Sequence, residues 1–445
     1  MGGARLKPTK PERTRSFDEV THMRKKIDAL ALGGCLLLLG IPAMAGEKLT
    51  LAQCVEKALA SHPNLTAAAG TVESRRAAAS LSAAGARLKA NATGSYARSG
   101  ATKGANSGGS DGDWNTGVSL SQTVYDWGKT NASVKSAKLN EKAAQETLQR
   151  TRESVIADVR DAYYSLNKAV RDTAVQNEQV KNYQQRLDWA KSYYSAGTKA
   201  KIEVTKAETD LANARLSLIK AESAAEQYKA QLASAMGTPE LEIDGVADEL
   251  DYEQWDIALS DALKRAAANR ADLTAQDLLV DKAKTDVTSA KLTNAPDLTA
   301  SAGYSFGGSG FYDDDQWSAK LSLSIPIGDG GETKARVAGA KADLKVAQAN
   351  RDKLAQDVVL DVRQAWQSLQ ESAASITAAR AAERQARENL DLALGRYRAG
   401  VGDSLEISDA VDAYAQSQTT LITSLYDHKE ARLSLEKAMG EVSGS

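Results

Sequence analysis

Apolar and small side chains recur at alternating steps of four and three residues at Val155, Val159, Ala162, Leu166 and Ala169, and again at Val180, Tyr183, Leu187, Ala190 and Tyr194. That spacing lays them on one stripe of a helix and predicts a coiled-coil seam. Residues 129–194, 66 positions, contain neither proline nor glycine. One helix of roughly 100 Å is therefore predicted, at about 1.5 Å per residue. Elsewhere the period falls to two. Leu298, Ala300, Ala302, Tyr304 and Phe306 alternate with Thr299, Ser301, Gly303 and Ser305, and Leu321, Leu323, Ile325 and Ile327 alternate with Ser322 and Ser324. Ala90, Ala92 and Tyr96 alternate with Asn91, Thr93 and Ser95, and Val118, Leu120 and Val124 with Ser119, Ser121 and Thr123. These are four strands, each with one apolar and one Ser/Thr-rich face.

The pattern is written twice. Val124-Tyr125-Asp126-Trp127-Gly128 returns as Ile327-Gly328-Asp329-Gly330-Gly331, 203 residues on. Trp114 and Trp317, Tyr194-x-x-Gly197 and Tyr397-x-x-Gly400, and Ala235-Met236-Gly237 and Ala438-Met439-Gly440 hold the same offset. Upstream the offset is 208, matching Asn64-Leu65-Thr66-Ala67 to Asp272-Leu273-Thr274-Ala275, so one loop is shorter in the second copy. The first repeat takes residues 46–237, with a hairpin at 89–125 and long helices over 129–236. The second takes 257–440, with a hairpin at 297–327 and long helices over 332–439. An acidic connector, 238–256, reads as a solvated linker, and 441–445 form a tail. Each repeat opens with a short helix (49–61, 257–268) and a medium one (64–88, 272–292). It closes with a helix (202–236, 405–439) that returns from a turn at Gly197 or Gly400. The returning and medium helices placed end to end match the long helix, so a full-length rod is expected beside two coaxial half rods. Pro63, Pro239, Pro296 and Pro326 all fall at boundaries, as proline's exclusion from helix interiors requires.

The strands point to a compartment. Loops 99–113 and 307–316 are rich in Gly, Ser and Asp, and Tyr96, Trp114, Tyr304, Phe306, Phe311, Tyr312 and Trp317 crowd the loop-side strand ends. An apolar band edged by aromatics, with a polar opposite face, is the pattern of a membrane β-barrel with an aromatic girdle. Four strands cannot enclose a channel, and open sheet edges are not tolerated in lipid, so several chains must share one barrel. The bland alternative is a periplasmic coiled-coil adaptor or scaffold without a pore.

The N-terminus agrees with export. Arg24, Lys25 and Lys26 precede an apolar core at 29–42, and Ala43-Met44-Ala45 fits cleavage before Gly46. Residues 23–45 then form a signal peptide starting at Met23, and 1–22 a misassigned extension. Leu32-Gly33-Gly34-Cys35 also resembles a lipoprotein box, which leaves lipidation of Cys35 as a second option. From Gly46 onward the chain carries 48 basic and 54 acidic side chains, a net charge of −6 that does not favour nucleic acid. Cys54, among Leu51, Val55 and Leu59, reads as a small buried hydrophobe. His62 and His428 lack metal-ligand spacing. The Gly-rich segments 307–310 and 328–331 lack the lysine and hydroxyl of a phosphate loop. No nucleophile-and-base constellation is present, so neither an enzyme nor a cofactor is expected.

His62-Pro63-Asn64-Leu65, Gln122-Thr123-Val124-Tyr125-Asp126, Pro296-Asp297-Leu298, Leu323-Ser324-Ile325-Pro326-Ile327 and the two Tyr-x-x-Gly turns, in this order and duplicated, resemble the TolC family of outer-membrane efflux factors. The resemblance spans residues 49–440. It implies a mainly α fold with a β-barrel part. A homotrimer would form a twelve-stranded outer-membrane barrel, four strands per chain, continuing into a periplasmic barrel of twelve helical rods. The implied function is a passive exit channel for small molecules or proteins, in tripartite efflux or type I secretion. Its implied partners are outer-membrane lipid, a periplasmic adaptor and an inner-membrane transporter. The family's acidic constriction carries over to Glu406 and Asp409, six and nine residues after Gly400. Its latch arginine position is Gly402, a departure that Lys199 or Lys201 would have to make good. Gly197, Glu203, Gly400 and Asp403 complete the expected tip and docking residues, with Asp403 and Asp412 read as a solvated helix face.

Overall fold

The computed structural model describes residues 48–98, 112–308 and 314–443. The leader (1–22 and 23–45, with Cys35), Phe311 and Tyr312 of the second loop, and the last two residues of the tail lie outside them.

The first repeat runs α1 (Leu51–Ser61), α2 (Pro63–Ala84), β1 (Lys89–Arg98), β2 (Gly112–Tyr125), α3 (Lys129–Ser195) and α4 (Lys201–Ala235). The second runs α5 (Leu259–Asn269), α6 (Ala271–Lys291), β3 (Asp297–Gly308), β4 (Asp314–Ser324), α7 (Glu332–Arg398) and α8 (Ser404–Met439). The two long helices have 67 residues each. β4 stops at Ser324 instead of continuing to residue 327. β3 begins at Asp297, opposite Ser324, so Ile325 and Ile327 have no strand to pair with, and Pro326 has no N–H to offer.

Local chemistry sets each junction. Thr50 and Gln53 exchange a capping box at the start of α1, 3.4 and 3.0 Å. His62, between α1 and α2, accepts from the Asn64 N–H through Nδ1. Where strand passes into long helix, Asp126 accepts from the Gly128 and Thr130 N–H groups, 3.0 and 2.7 Å. Asp329 repeats this with Gly331 and Thr333 at 3.0 and 2.8 Å. Two elbows built alike are the duplication at atomic scale.

α3 packs against α2, α4, α6 and α8. The expected half rods meet end to end. α4 ends at Gly237, φ +72°, where a Cβ would meet His62 Cα and Pro63 Cδ at 3.1 Å; α8 ends at Gly440, φ +72°, where it would meet the Asn269 carbonyl oxygen at 2.9 Å. Each returning helix thus butts against the start of a medium one. Gly440→Ala combines a left-handed conformation with a backbone clash and is expected to cost about 1–3 kcal/mol. A thermal melt in detergent checks this, and an unchanged midpoint would contradict the butt joint.

The connector is no solvated linker. Ile243, Val246 and Leu250 are buried in one core with Leu51, Cys54, Val155, Tyr163 and Leu232. Leu49 and Val246 form a parallel bridge, and the Tyr163 hydroxyl donates to the Ala247 carbonyl at 2.8 Å. Its acids face outward, Asp248 and Asp251 to Arg171 and Glu253 to Arg432. Cys54 is fully buried, and burial pushes its thiol up to about 11. His428 is buried between Ser372 and the Glu253 carbonyl, 3.1 and 3.2 Å, and burial lowers its pKa.

Asp172 on α3 has Oδ1 buried without a hydrogen-bond partner. Burial pushes its carboxyl up to about 6 against the pull of Lys168. The folded pKa lies above the ordinary 3.8, so the folded chain gains stability as pH falls through the higher value and gains nothing further below the lower one. Asp172→Asn is expected to flatten that slope and raise the melting midpoint at neutral pH; a lower midpoint would refute it.

Candidate channel wall and periplasmic gate

The four strands form one antiparallel sheet in the order β1-β2-β3-β4. Register fixes the faces. Ala92 lies opposite Val118 and Tyr96 opposite Trp114; Val118 pairs with Tyr304, Leu120 with Ala302, Tyr304 with Trp317 and Ala300 with Leu321. These residues share one face, and it is bare: Val118 is 54% exposed, Leu321 68% and Trp317 76%. Asn91, Thr93, Asn115, Ser119, Ser121, Thr299, Ser301, Gln316, Ser318, Lys320 and Ser322 take the other face. The expected girdle residues Tyr96, Trp114, Tyr304, Phe306 and Trp317 gather at one end. Tyr96 and Trp114 have ring centroids 4.7 Å apart, Tyr304 and Phe306 4.9 Å. Among the described residues no strand pairs with the outer edge of β1 or β4.

The helical wall is unfinished in the same sense. Ile156 and Ala157 of α3 are 5% and 3% exposed. Their equivalents 203 residues on, Val359 and Leu360 of α7, are 40% and 53% exposed. α3 has α2, α4, α6, α8 and the short α1 around it, whereas α7 has only α6, α8 and the short α5 among the described residues. The complementary deficit is on α4, where Ile219 is 61% exposed while the matching Ile422 of α8 is 8%.

At the far end the helices reverse. Gly197 (φ +73°) and Gly400 (φ +78°) adopt the left-handed conformation, and each turn closes alike: the Gly197 and Thr198 N–H groups donate to the Tyr194 and Tyr193 carbonyls, and those of Gly400 and Val401 to the Tyr397 and Arg396 carbonyls. Lys201 opens α4, and Asp403 caps α8 by accepting from the Leu405 N–H at 3.3 Å. Lys199 Nζ stands 5.7 Å from the centre of the Tyr397 ring, bringing the first tip to the second, and the Glu203 Oε2 and Tyr397 hydroxyl are buried beneath without hydrogen-bond partners. Glu406 is paired with Arg396 at 3.0 Å, while Asp409 is exposed.

The sequence profile of the outer membrane efflux proteins matches residues 54–238 and 262–441. The chain belongs to the outer membrane efflux protein family. Outer membrane protein TolC of Escherichia coli (strain K12) is 26% identical over 344 residues, 73% of this chain and 68% of that one. Two solved structures share the fold. CusC, a protein that forms a transmembrane channel, superposes with a TM-score of 0.78 at 20% identity, covering 88% of this chain and 92% of that one. VceC of Vibrio cholerae reaches 0.75 at 20% identity, covering 88% and 96%. This efflux protein is thus an exit channel of the outer membrane that extends into the periplasm, mainly helical, with four strands per chain and an internal duplication.

Within it, the structure explains the glycine at 402 and gives Asp412 and Glu406 partners that the sequence did not show. Gly402 cannot carry a latch arginine, because a Cβ there would lie 2.8 Å from the Tyr397 amide nitrogen, and its own N–H donates back to the Arg396 carbonyl. Asp412 is no idle surface charge; it accepts from the Tyr183 hydroxyl at 2.6 Å and from Gln179 at 2.9 Å. Glu406 is not a lone carboxylate, since Arg396 from the last turn of α7 neutralises it. Sequence reasoning also missed Arg186, 1% exposed, which joins Asp210 at 2.5 Å and Ser408. An arginine beside the seam residues Tyr183 and Leu187 was the signal. Among the described residues no group of His, Cys, Asp and Glu is placed to hold a metal.

Proposed function

We propose that three copies of this efflux protein close one cylinder. β4 of each copy would pair with β1 of the next, and α7 would pack on α2 and α4 of the next. One observation supports it above the rest: at matched positions α3 is covered and α7 is bare. The duplication itself says what belongs there, because α3 is covered by the equivalents of those same helices. The apolar sheet face would meet lipid and the Ser/Thr-rich face would line water, which leaves a soluble adaptor without a use for the hairpins.

The tip turns Tyr194–Glu203 and Tyr397–Glu406 are the proposed docking surface for a periplasmic adaptor, beneath which an inner-membrane pump supplies the energy. Glu406 and Asp409 form the proposed constriction, with Arg396 trimming its charge, so that the carboxylates of three Asp409 residues dominate the mouth. A converging acidic ring draws cations. Small cation-selective currents are expected in planar bilayers, with block by trivalent ions. Glu406→Ala with Asp409→Ala should raise the conductance or weaken that block severalfold; unchanged currents would remove both residues from the gate.

A further inference from the structure

At the elbow between strand and long helix the two repeats differ by a reversal of charge. Lys129 is the first residue of α3, and its Nζ meets the carboxylate of Asp297, the first residue of β3, at 2.8 Å. A lysine in the first turn of a helix opposes the helix dipole, and α3 has no acid in that turn to offset it. Asp297 accounts for the lysine. The pair ties one hairpin to the other across the joint between β2 and β3.

The duplication says where this geometry recurs. A shift of 203 residues carries Lys129 to Glu332, and a shift of 208 carries Asp297 to Lys89. Glu332 opens α7 at an elbow built like the first, with Asp329 in the place of Asp126 and Gly331 at φ +92° where Gly128 has +95°. Lys89 opens β1 as Asp297 opens β3. The same shifts carry the β2–β3 register onto β4 and the β1 of a neighbouring copy. Ser121 opposite Ser301 becomes Ser324 opposite Thr93, and Ser119 opposite Gly303 becomes Ser322 opposite Ser95. These four all belong to the Ser/Thr-rich face, so the transferred register keeps the two faces of the wall in step. Within one chain the pair cannot form, because β1 and β4 lie at opposite edges of the sheet. The Glu332 side chain is 56% exposed and pairs with Arg336, one turn along its own helix, at 2.6 Å. Lys89 is exposed and has no carboxylate partner among the described residues.

We propose that Glu332 of each copy pairs with Lys89 of the next, with polarity opposite to Lys129–Asp297, and that this reversal makes each chain accept only the correct edge of a second copy. The proposal rests on the closed-cylinder reading above and adds the residues that select the partner. Selection works by repulsion. Were β4 of one copy to lie against β3 of another, Glu332 would face Asp297. Were β2 to lie against a neighbour's β1, Lys129 would face Lys89. Both wrong joints oppose like charges, whereas both correct joints are matched. An exposed ion pair adds little affinity by itself, but the step from attraction to repulsion, repeated at every joint, separates right partners from wrong ones.

Charge reversal in the full-length protein tests it. Lys89→Glu or Glu332→Lys alone sets like charges at every joint between chains, and the double variant restores the match with its sign inverted. Each single change is expected to lower the yield of detergent-stable multimer at least threefold, and the double change to return it. Co-expressed with the unaltered chain under a second affinity tag, the double variant is expected to assemble with itself and to form mixed multimers at least fivefold below random mixing, because each mixed joint opposes like charges. Random mixing, or a double variant that assembles no better than the singles, would overturn the pair while the cylinder stands. Lys89→Cys with Glu332→Cys, in a chain carrying Cys54→Ala, checks proximity: a short bis-maleimide is expected to give covalent multimers on a denaturing gel. Absence of that link in particles that native mass spectrometry shows to be multimeric would also overturn the pair. Unaltered protein found only as single chains would remove both the pair and the cylinder.

Discussion

Leu120→Arg is expected to empty the outer membrane of this protein. Leu120 sits within β2 on the apolar face, opposite Ala90 on one side and Ala302 on the other. An arginine on the lipid face of a membrane barrel costs about 2–4 kcal/mol near the bilayer midplane, and every copy in one cylinder brings its own. A domain is held together by about 5–15 kcal/mol in all, so the summed penalty takes most of the margin. Ser121→Arg, one residue on, points to the other face and is expected to insert normally while altering ion selectivity. Membrane fractionation separates the two. Equal loss, or equal retention, would mean that the faces do not divide lipid from water.

Leu360→Glu is expected to abolish assembly while leaving the helices intact. In the single chain Leu360 is 53% exposed, and a surface carboxylate there alters stability within about 0.5 kcal/mol. Buried under α2 and α4 of a neighbour, the same carboxylate would be an unpaired charge in an apolar seam, worth several kcal/mol and repeated at every joint. Circular dichroism should show an unchanged helical signal, and size analysis in detergent should show the loss of the multimer. Ile219→Glu approaches the same seam from the other side and should reproduce the loss. Normal assembly of both variants would place these faces elsewhere.

Much of this was written in the residue order. Strands showed themselves because Leu298 to Phe306 and Leu321 to Leu323 alternate without interruption, and the rods because proline is confined to helix ends and residues 129–194 hold no glycine. Gly237 and Gly440 stand at matched offsets, and the structure shows why: each lets a returning helix butt against the next element. What escaped has a common cause, which is that the interaction partner is remote and the local pattern is weak. Ile243, Val246 and Leu250 are set among Asp, Glu, Gly and Pro with no period, so nothing local says that the connector folds onto Tyr163. Asp412 looks like any exposed helix acid until Tyr183, 229 residues earlier, is brought to 2.6 Å. Arg396 and Glu406 are only ten residues apart, yet the turn between them had to be known before they could be paired. At Gly402 the missing latch arginine was plain from the sequence, but the steric reason lay in the backbone of the preceding turn.

The sheet edges without a partner, the bare α7 face and the matching bare α4 face are the surfaces that the proposed three-copy cylinder would cover. Native mass spectrometry of the protein extracted from the outer membrane in mild detergent tests that most directly. A particle of three mature chains is predicted; a single-chain particle that still carries the folded hairpins would contradict it.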